Sequence, residues 1–245
     1  MIKAGSQWQY EGLRALGLTL SGVHTSIAVP DLGFCFDVAQ GLPFQFHLRK
    51  FFLTHGHMDH AAGVPYIISQ KAMTHQSAPQ FVMPPSLVQP LHQILKTWES
   101  IEGHHYQYEF LPASVNNDFV INDFYFIKPF KTVHRIESFG YTLYHRKKQL
   151  KKEFINLPEA EIKRLASSGT EVNQINDIPL LSFTGDTQID FLDHSPEAAC
   201  AKILMMECTY LDNRKSVEHA RKWGHTHLDE LIPRLDQIAA EHICL

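Results

Sequence analysis

Short apolar runs alternate along this chain with segments of helical period. Residues 34–38 (FCFDV), 51–54 (FFLT), 124–130 (FYFIKPF), 139–144 (FGYTLY), 180–184 (LLSFT) and 202–210 (KILMMECTY) are rich in aromatic and aliphatic side chains and too short for helices. They predict buried strands. Leu87, Val88, Leu91, Ile94, Leu95 and Trp98 recur on one helical face behind Pro84, Pro85 and a potential cap at Ser86, which predicts a helix. A second helix is predicted over residues 158–167. A third is predicted over about 226–240, with Leu228, Leu231, Leu235, Ile238 and Ala239 facing inward and Pro233 kinking it or delaying its regular part. No internal repeat or low-complexity linker interrupts the pattern. The implied class is α/β, with sheets covered by helices and the chemically interesting residues at strand ends.

Composition narrows the reading. The 245 residues are 44% hydrophobic and 20% charged, enough to bury a real core in one compact domain or two half-domains that share it. With 22 Lys+Arg against 26 Asp+Glu the net charge is −4, so any contact with nucleic acid has to be local. The first 22 residues lack a continuous apolar segment behind a basic start, and no stretch matches the roughly 18–20 apolar residues of a membrane span. A soluble, cytoplasmic protein without a secretion signal is expected. Cys35, Cys200, Cys208 and Cys244 form no CxxC pair, and three of them lie in apolar runs, so buried free thiols in a reducing compartment are expected.

The unusual figure is 16 His, because imidazole is the commonest protein metal ligand. Three of them, with one Asp, fall within residues 51–65 (FFLTHGHMDHAAGVP), directly behind an apolar run. His55 and His57 are alternate residues of an extended strand end and point the same way, so they can share one ion. The turn that follows carries Asp59 and His60 toward a second, before Ala61, Ala62 and Gly63 open a helix. The spacing suits two adjacent metals better than one.

An HxHxDH segment after an apolar strand is the signature of the metallo-β-lactamase fold, and the chain resembles the ribonuclease Z branch of that superfamily. The similar segments run in order through FCFDVAQG (34–41), TVHRIESFGY (132–141), LLSFTGDT (180–187), MECTY (206–210) and GHTHLDE (224–230). The resemblance implies one domain with an αββα sandwich, two mixed sheets packed face to face with helices outside. It implies two Zn²⁺ per chain, with Mn²⁺ or Fe as alternatives. His55, His57 and His134 would hold one ion, Asp59, His60 and His225 the second, and Asp186 would bridge them.

The implied chemistry is phosphodiester hydrolysis by a hydroxide shared between ions about 3.5–4 Å apart. Asp59 would orient or deprotonate the water; His227, only two residues from His225 and the alternative last ligand, would either support the ligands or, steered by Glu207, protonate the leaving oxygen. In the family this reaction removes the 3′ trailer of precursor transfer RNA. The alternative is a small substrate such as a cyclic nucleotide, another phosphodiester, a thioester or a lactone. Homodimers are common in the branch, and a homodimer is expected here. A local RNA contact is offered by residues 144–152 (YHRKKQLKK), with a solvated face as the competing reading.

The sequence departs from the branch at three places. Met206 stands where the branch often has His before the Glu. Residues 135–185 hold no Gly-Pro-rich tip, so the long substrate-binding arm is expected to be shortened or absent. Ile243, Cys244 and Leu245 look like the start of a strand that the family continues, so the domain is expected to lack its last C-terminal strand.

Overall fold

The computed structural model describes residues 5–245, so the first four residues of the segment read for a secretion signal lie outside it. The first half of the chain builds one sheet. Its strands are β1 (Ser6–Tyr10), β2 (Leu13–Leu20), β3 (His24–Val29), β4 (Phe34–Phe36), β5 (Lys50–Phe52), β6 (Gln80–Met83) and β7 (Glu109–Pro112), in that spatial order. Between them run α1 (Met58–Ala61), α2 (Gly63–Met73) and α3 (Pro85–Glu102). Pairing is antiparallel from β1 to β4 and parallel from β4 to β7.

The second half builds the other sheet from β8 (Phe119–Asn122), β9 (Tyr125–Lys131), β10 (Phe139–Leu150), β11 (Asn173–Phe183), β12 (Ile203–Met205) and β13 (His242–Cys244). Its helices are α4 (Glu159–Ser167), α5 (Phe191–His194), α6 (Val217–Trp223) and α7 (Leu228–Leu231). β13 pairs with β12 in parallel at the sheet edge.

Three clusters of buried side chains fill the spaces between four layers. Alternate residues of one strand enter different clusters. Cys35, Phe51 and Phe81 pack under α2 and α3 with Val64, Ile67, Leu91 and Leu95. Phe34, Phe36, Phe52 and Val82 point the other way, against Tyr141, Leu143, Leu181 and Ile203 of the second sheet. Leu204 and Phe130 face outward under α5 and α7. A strand buried on both faces needs no polar side, which is why these segments read as continuous apolar runs. The αββα sandwich expected from the sequence is the architecture found.

Several expectations change. The helix over 226–240 is one α-turn, α7, followed by a 3₁₀ stretch, Ile232–Gln237. Pro233 lacks the N–H that an α-helix would use there, and Leu235 is left exposed. On α3 only Leu91 and Leu95 of the proposed face are buried, while Ile94 and Trp98 are exposed. Cys35 is buried, and burial pushes its thiol up to about 12; Cys200 is exposed, and Cys208 and Cys244 are half-buried. All four are free. Beyond the last β9 pair, His145↔Tyr125, strands β10 and β11 continue as a two-stranded ribbon from Arg146↔Asp177 to Leu150↔Asn173, with α4 in the connection between them.

Tyr141 joins the two sheets. Its ring stacks 6.2 Å from Phe36 and meets Phe52 edge-on, and its hydroxyl donates to the Leu53 carbonyl at 2.7 Å. Tyr141→Phe keeps the ring and strands a buried carbonyl, so chemical denaturation should show a loss of about 1–2 kcal/mol. Tyr141→Ala should cost about 3–5 kcal/mol by opening a cavity between the sheets. Equal stability of all three proteins would refute this account of the sheet contact.

Candidate metal centre

The candidate residues collect at one end of the sandwich. β4 leads into Asp37, β5 into Thr54 and His55, β11 into Asp186 and β12 into Glu207, while His134 lies in the connection before β10. The Phe139 N–H donates to the Thr54 carbonyl at 2.9 Å and ties the two sheets together beside the cluster. His57 precedes α1, and its carbonyl accepts from the His60 and Ala61 amides, so the helical turn carries Asp59 and His60 back toward His55.

Donor atoms of His55, His57, His134 and Asp186 all lie within 4.8 Å of one another, the group among the described residues that could hold a metal ion. His57 Nδ1 stands 3.0 Å from His55 Nε2 and 3.3 Å from His134 Nε2. Burial lowers the pKa of all three imidazoles, favouring the neutral form whose lone pair can bind a cation. Asp186 reaches both ways, with Oδ2 at 3.8 Å from His55 Nε2 and Oδ1 at 3.3 Å from His60 Nε2. His60 Nε2 is 3.7 Å from Asp59, and His225 Nδ1 is 3.9 Å from Asp186. The seven residues singled out as ligands are therefore neighbours, in a tight group of four and a looser flank of Asp59, His60 and His225.

The far ring nitrogens are anchored. His60 Nδ1 pairs with the Asp37 carboxylate at 2.8 Å, and Thr54 donates to the same carboxylate through its amide and its hydroxyl, each at 2.8 Å. With its proton committed to Asp37, the Thr54 hydroxyl accepts from His55 Nδ1 at 3.0 Å. His134 Nδ1 donates to the Gly224 carbonyl at 2.7 Å, and His225 Nδ1 pairs with Glu207 at 2.9 Å. Fixed in this way, His55, His60 and His134 turn Nε2 toward the cluster, whereas His225 faces Asp186 through the same Nδ1 that Glu207 holds. Burial opposes a charge on His60, but Asp37 and Asp186 outweigh it and raise its pKa well above the ordinary value. The Asp186 carboxyl is held low, because the His60 hydrogen bond and the surrounding imidazoles outweigh the effect of burial.

Gly185 has φ +60°, and a Cβ there would sit 2.5 Å from the Thr54 Cβ. Only glycine lets the Asp186 backbone approach Thr54 and His55 so closely. Asp37 itself has φ 49°, an uncommon conformation for a side-chain-bearing residue, held by the bonds its carboxylate makes.

The three residues read as catalytic separate. Asp59 is half-buried at the cluster and makes no hydrogen bond among the described residues. Glu207 faces His225 rather than His227, and it also accepts from the amides of Thr187, Thr226 and Thr209. Of the roles open to His227, its hydrogen bonds fit the supporting one. Its Nε2 faces the carbonyls of Asp212 and Lys215, each at 3.1 Å, and its Nδ1 accepts from the Asp229 amide to cap α7. No ring nitrogen is left for a substrate.

The basic segment at 144–152 lies along the ribbon, with Lys147 about 25 Å from the start of β10 at the strand rise of ~3.3 Å per residue. Arg146 is paired with Asp177 and Lys151 with Glu171. A groove of about 670 Å³ lined by Tyr66, Met73, Trp98 and Tyr106 runs between α2 and α3, away from the cluster. The sequence reading missed Asp37 as a partner of His60, although a lone carboxylate within FCFDV was the available signal.

No family model matches the chain. A tRNase Z of Arabidopsis thaliana is 33% identical over 240 residues, covering 97% of this chain and 85% of that protein. The chain belongs to the tRNase Z family. A chloroplastic tRNase Z of the same plant is 30% identical over 232 residues, covering 94% of this chain and 65% of the relative. Among solved structures, the short form of human tRNase Z superposes with a TM-score of 0.56 at 15% identity, covering 99% of this chain and 93% of that one. The metallo-β-lactamase fold protein YhfI of Bacillus subtilis gives 0.60 at 11% identity, covering 98% and 80%. This tRNase Z homologue thus has the metallo-β-lactamase fold, and the family resemblance read from its motifs holds. No helix among its described residues is long and apolar enough to cross a membrane.

Removing the Asp37 carboxylate leaves buried donors on Thr54 and His60 without an acceptor. Asp37→Ala should therefore lower stability by about 3–5 kcal/mol, and Asp37→Asn, which keeps one acceptor, should lower it less. Denaturant titration of both proteins measures the difference; no loss in Asp37→Ala would refute the anchoring role.

Proposed function

We propose that this protein is a dinuclear zinc phosphodiesterase that removes the 3′ trailer of precursor transfer RNA and leaves a 3′-hydroxyl. The observation that carries the reading is the convergence of three imidazole nitrogens and the Asp186 carboxylate, with Asp186 reaching toward His60 on the other side. The donor set fits zinc. Facing lone pairs on His55, His57 and His134 repel one another unless a proton or a cation lies among them, and their neutral forms are the ones that coordinate. The Arabidopsis thaliana tRNase Z relatives, whose likeness spans nearly the whole chain, support transfer RNA as the substrate, and the motif resemblance supports its 3′ trailer as the part removed.

In this reading His55, His57 and His134 would hold one ion and Asp59, His60 and His225 the other, with Asp186 lying between the two groups. Metal bound there would supply an activated water as nucleophile and charge neutralisation at the phosphoryl oxygens. Asp59, free of hydrogen bonds, orients the attacking water and accepts its proton. Asp37, Thr54, Gly224 and Glu207 hold the imidazoles in the binding tautomer, so little reorganisation is needed when substrate arrives. His227 acts through the α7 cap, keeping the 225–228 turn in place.

Incubation of the protein with a precursor transfer RNA and zinc or manganese should release the trailer, and a chelator should stop the reaction. His134→Ala should lower kcat/KM on the order of 100-fold or more and reduce bound metal. Turnover of bis(p-nitrophenyl) phosphate with the precursor left intact would move the function to a small phosphodiester. Full activity in His134→Ala would remove the metal-centred reading altogether.

A further inference from the structure

A second cluster of side chains sits on the rim of the metal centre, outside the roles described so far. Arg135 follows His134 in sequence, and Trp223 precedes Gly224. The His134–Gly224 hydrogen bond of 2.7 Å therefore fixes the two neighbours side by side. Gly224 ends α6 at φ +79°, and a Cβ there would come within 2.8 Å of His134 Nδ1 and 3.0 Å of the Arg135 nitrogen. The result is a guanidinium layered on an indole, with Arg135 Cζ 4.6 Å from the Trp223 ring centroid.

Both side chains are exposed, Trp223 by 43%. Arg135 has no ion pair and no side-chain hydrogen bond among the described residues, whereas nearby Arg221 is held by Asp190 and Glu230, and Arg214 by Asp212. An aromatic row continues from Trp223 toward the cluster. His219 lies 6.4 Å from Trp223, Tyr210 lies 5.6 Å from His219, and His225 lies 6.1 Å from Tyr210.

A free, weakly hydrated cation backed by an aromatic face suits an unpaired nucleotide. The guanidinium plane stacks on a base, and its N–H edge donates to the adjoining phosphate. A chain of net charge −4 needs a local cation to hold a polyanion, and this one lies beside the metal centre rather than on the distant ribbon. We infer that Arg135 and Trp223 form a nucleotide subsite for single-stranded polynucleotide, taking the base and phosphate next to the bond that is cut. The subsite rests on the phosphodiesterase reading for the location of that bond.

Binding separates from cleavage when metal is removed. A fluorescein-labelled single-stranded RNA of ten nucleotides is titrated by anisotropy against chelator-treated protein at several salt concentrations. Trp223→Ala should weaken binding about 5-fold or more, as loss of a stacking platform does. Arg135→Gln should weaken it and reduce the slope of log affinity against log salt by about 0.7. Arg135→Lys should restore that slope without restoring the affinity, since an ammonium cannot stack. Circular dichroism checks folding, and if Trp223→Ala unfolds, the exposed Arg135 pair decides alone. Absence of binding by the wild type, or variants with wild-type affinity and slope, overturns the subsite. Wild-type cleavage of precursor transfer RNA reports separately on the phosphodiesterase reading. Cleavage with indifferent variants defeats the subsite alone, whereas variant-sensitive binding without cleavage supports the subsite and defeats that reading.

Discussion

A carboxylate sealed from water must have every lone pair met, and at Asp37 that requirement organises the end of the sandwich. Its bonds to the Thr54 amide, the Thr54 hydroxyl and His60 lock the exit of β4 against the exit of β5 and against α1. Through the Thr54 hydroxyl the same carboxylate also sets the tautomer of His55. One buried charge thus orients an imidazole in the tight group of donors and another in the looser flank. Glu207 and the Gly224 carbonyl repeat the device for His225 and His134. The candidate ligands owe their direction to atoms that would themselves touch no ion.

Packing supplies the rigidity behind this arrangement. The strand ends that lead into Asp37, His55, Asp186 and Glu207 are packed on both faces, so a slip in register would expose apolar side chains. Tyr141 and the Phe139–Thr54 hydrogen bond then hold one sheet to the other close to the site. Asp186 can approach Thr54 only because residue 185 has no side chain. Dense packing and fixed hydrogen bonds together keep the ring nitrogens of three histidines close to one another.

The central strands were legible in the sequence because burial on two faces leaves an unbroken apolar signal, as in FCFDV and FFLT. β1 to β3 were not read: β1 and β2 are largely half-buried or exposed, and β3 is buried through small and polar residues, Thr25, Ser26 and Ala28, that carry no apolar run. The Glu11–Gly12 turn between β1 and β2, with φ of 44° and 83°, was a hairpin signal that went unused. The ligand candidates crowd into a short segment and recognisable motifs, so they stood out. Their anchors did not, because each is one ordinary residue brought from elsewhere, as Asp37 is to His60 and Gly224 to His134. The role of His227 stayed open in the sequence for a related reason. Sequence gives the nearness of a histidine to a motif but not which backbone atoms its ring nitrogens have already taken.

The division of the sheets between the two halves of the chain has a consequence for assembly. Residues 6–112 form one sheet and residues 119–244 the other, each in sequence order. His55, His57, Asp59 and His60 ride on the first half, His134, Asp186 and His225 on the second. Neither half carries a complete set of donors as it leaves the ribosome. A cation gripped by residues from both would act as a cross-link across the docking seam, adding to cohesion in proportion to the logarithm of its free concentration. Loading would then report on completed assembly, and the apparent melting temperature would be a property of the medium as much as of the polypeptide.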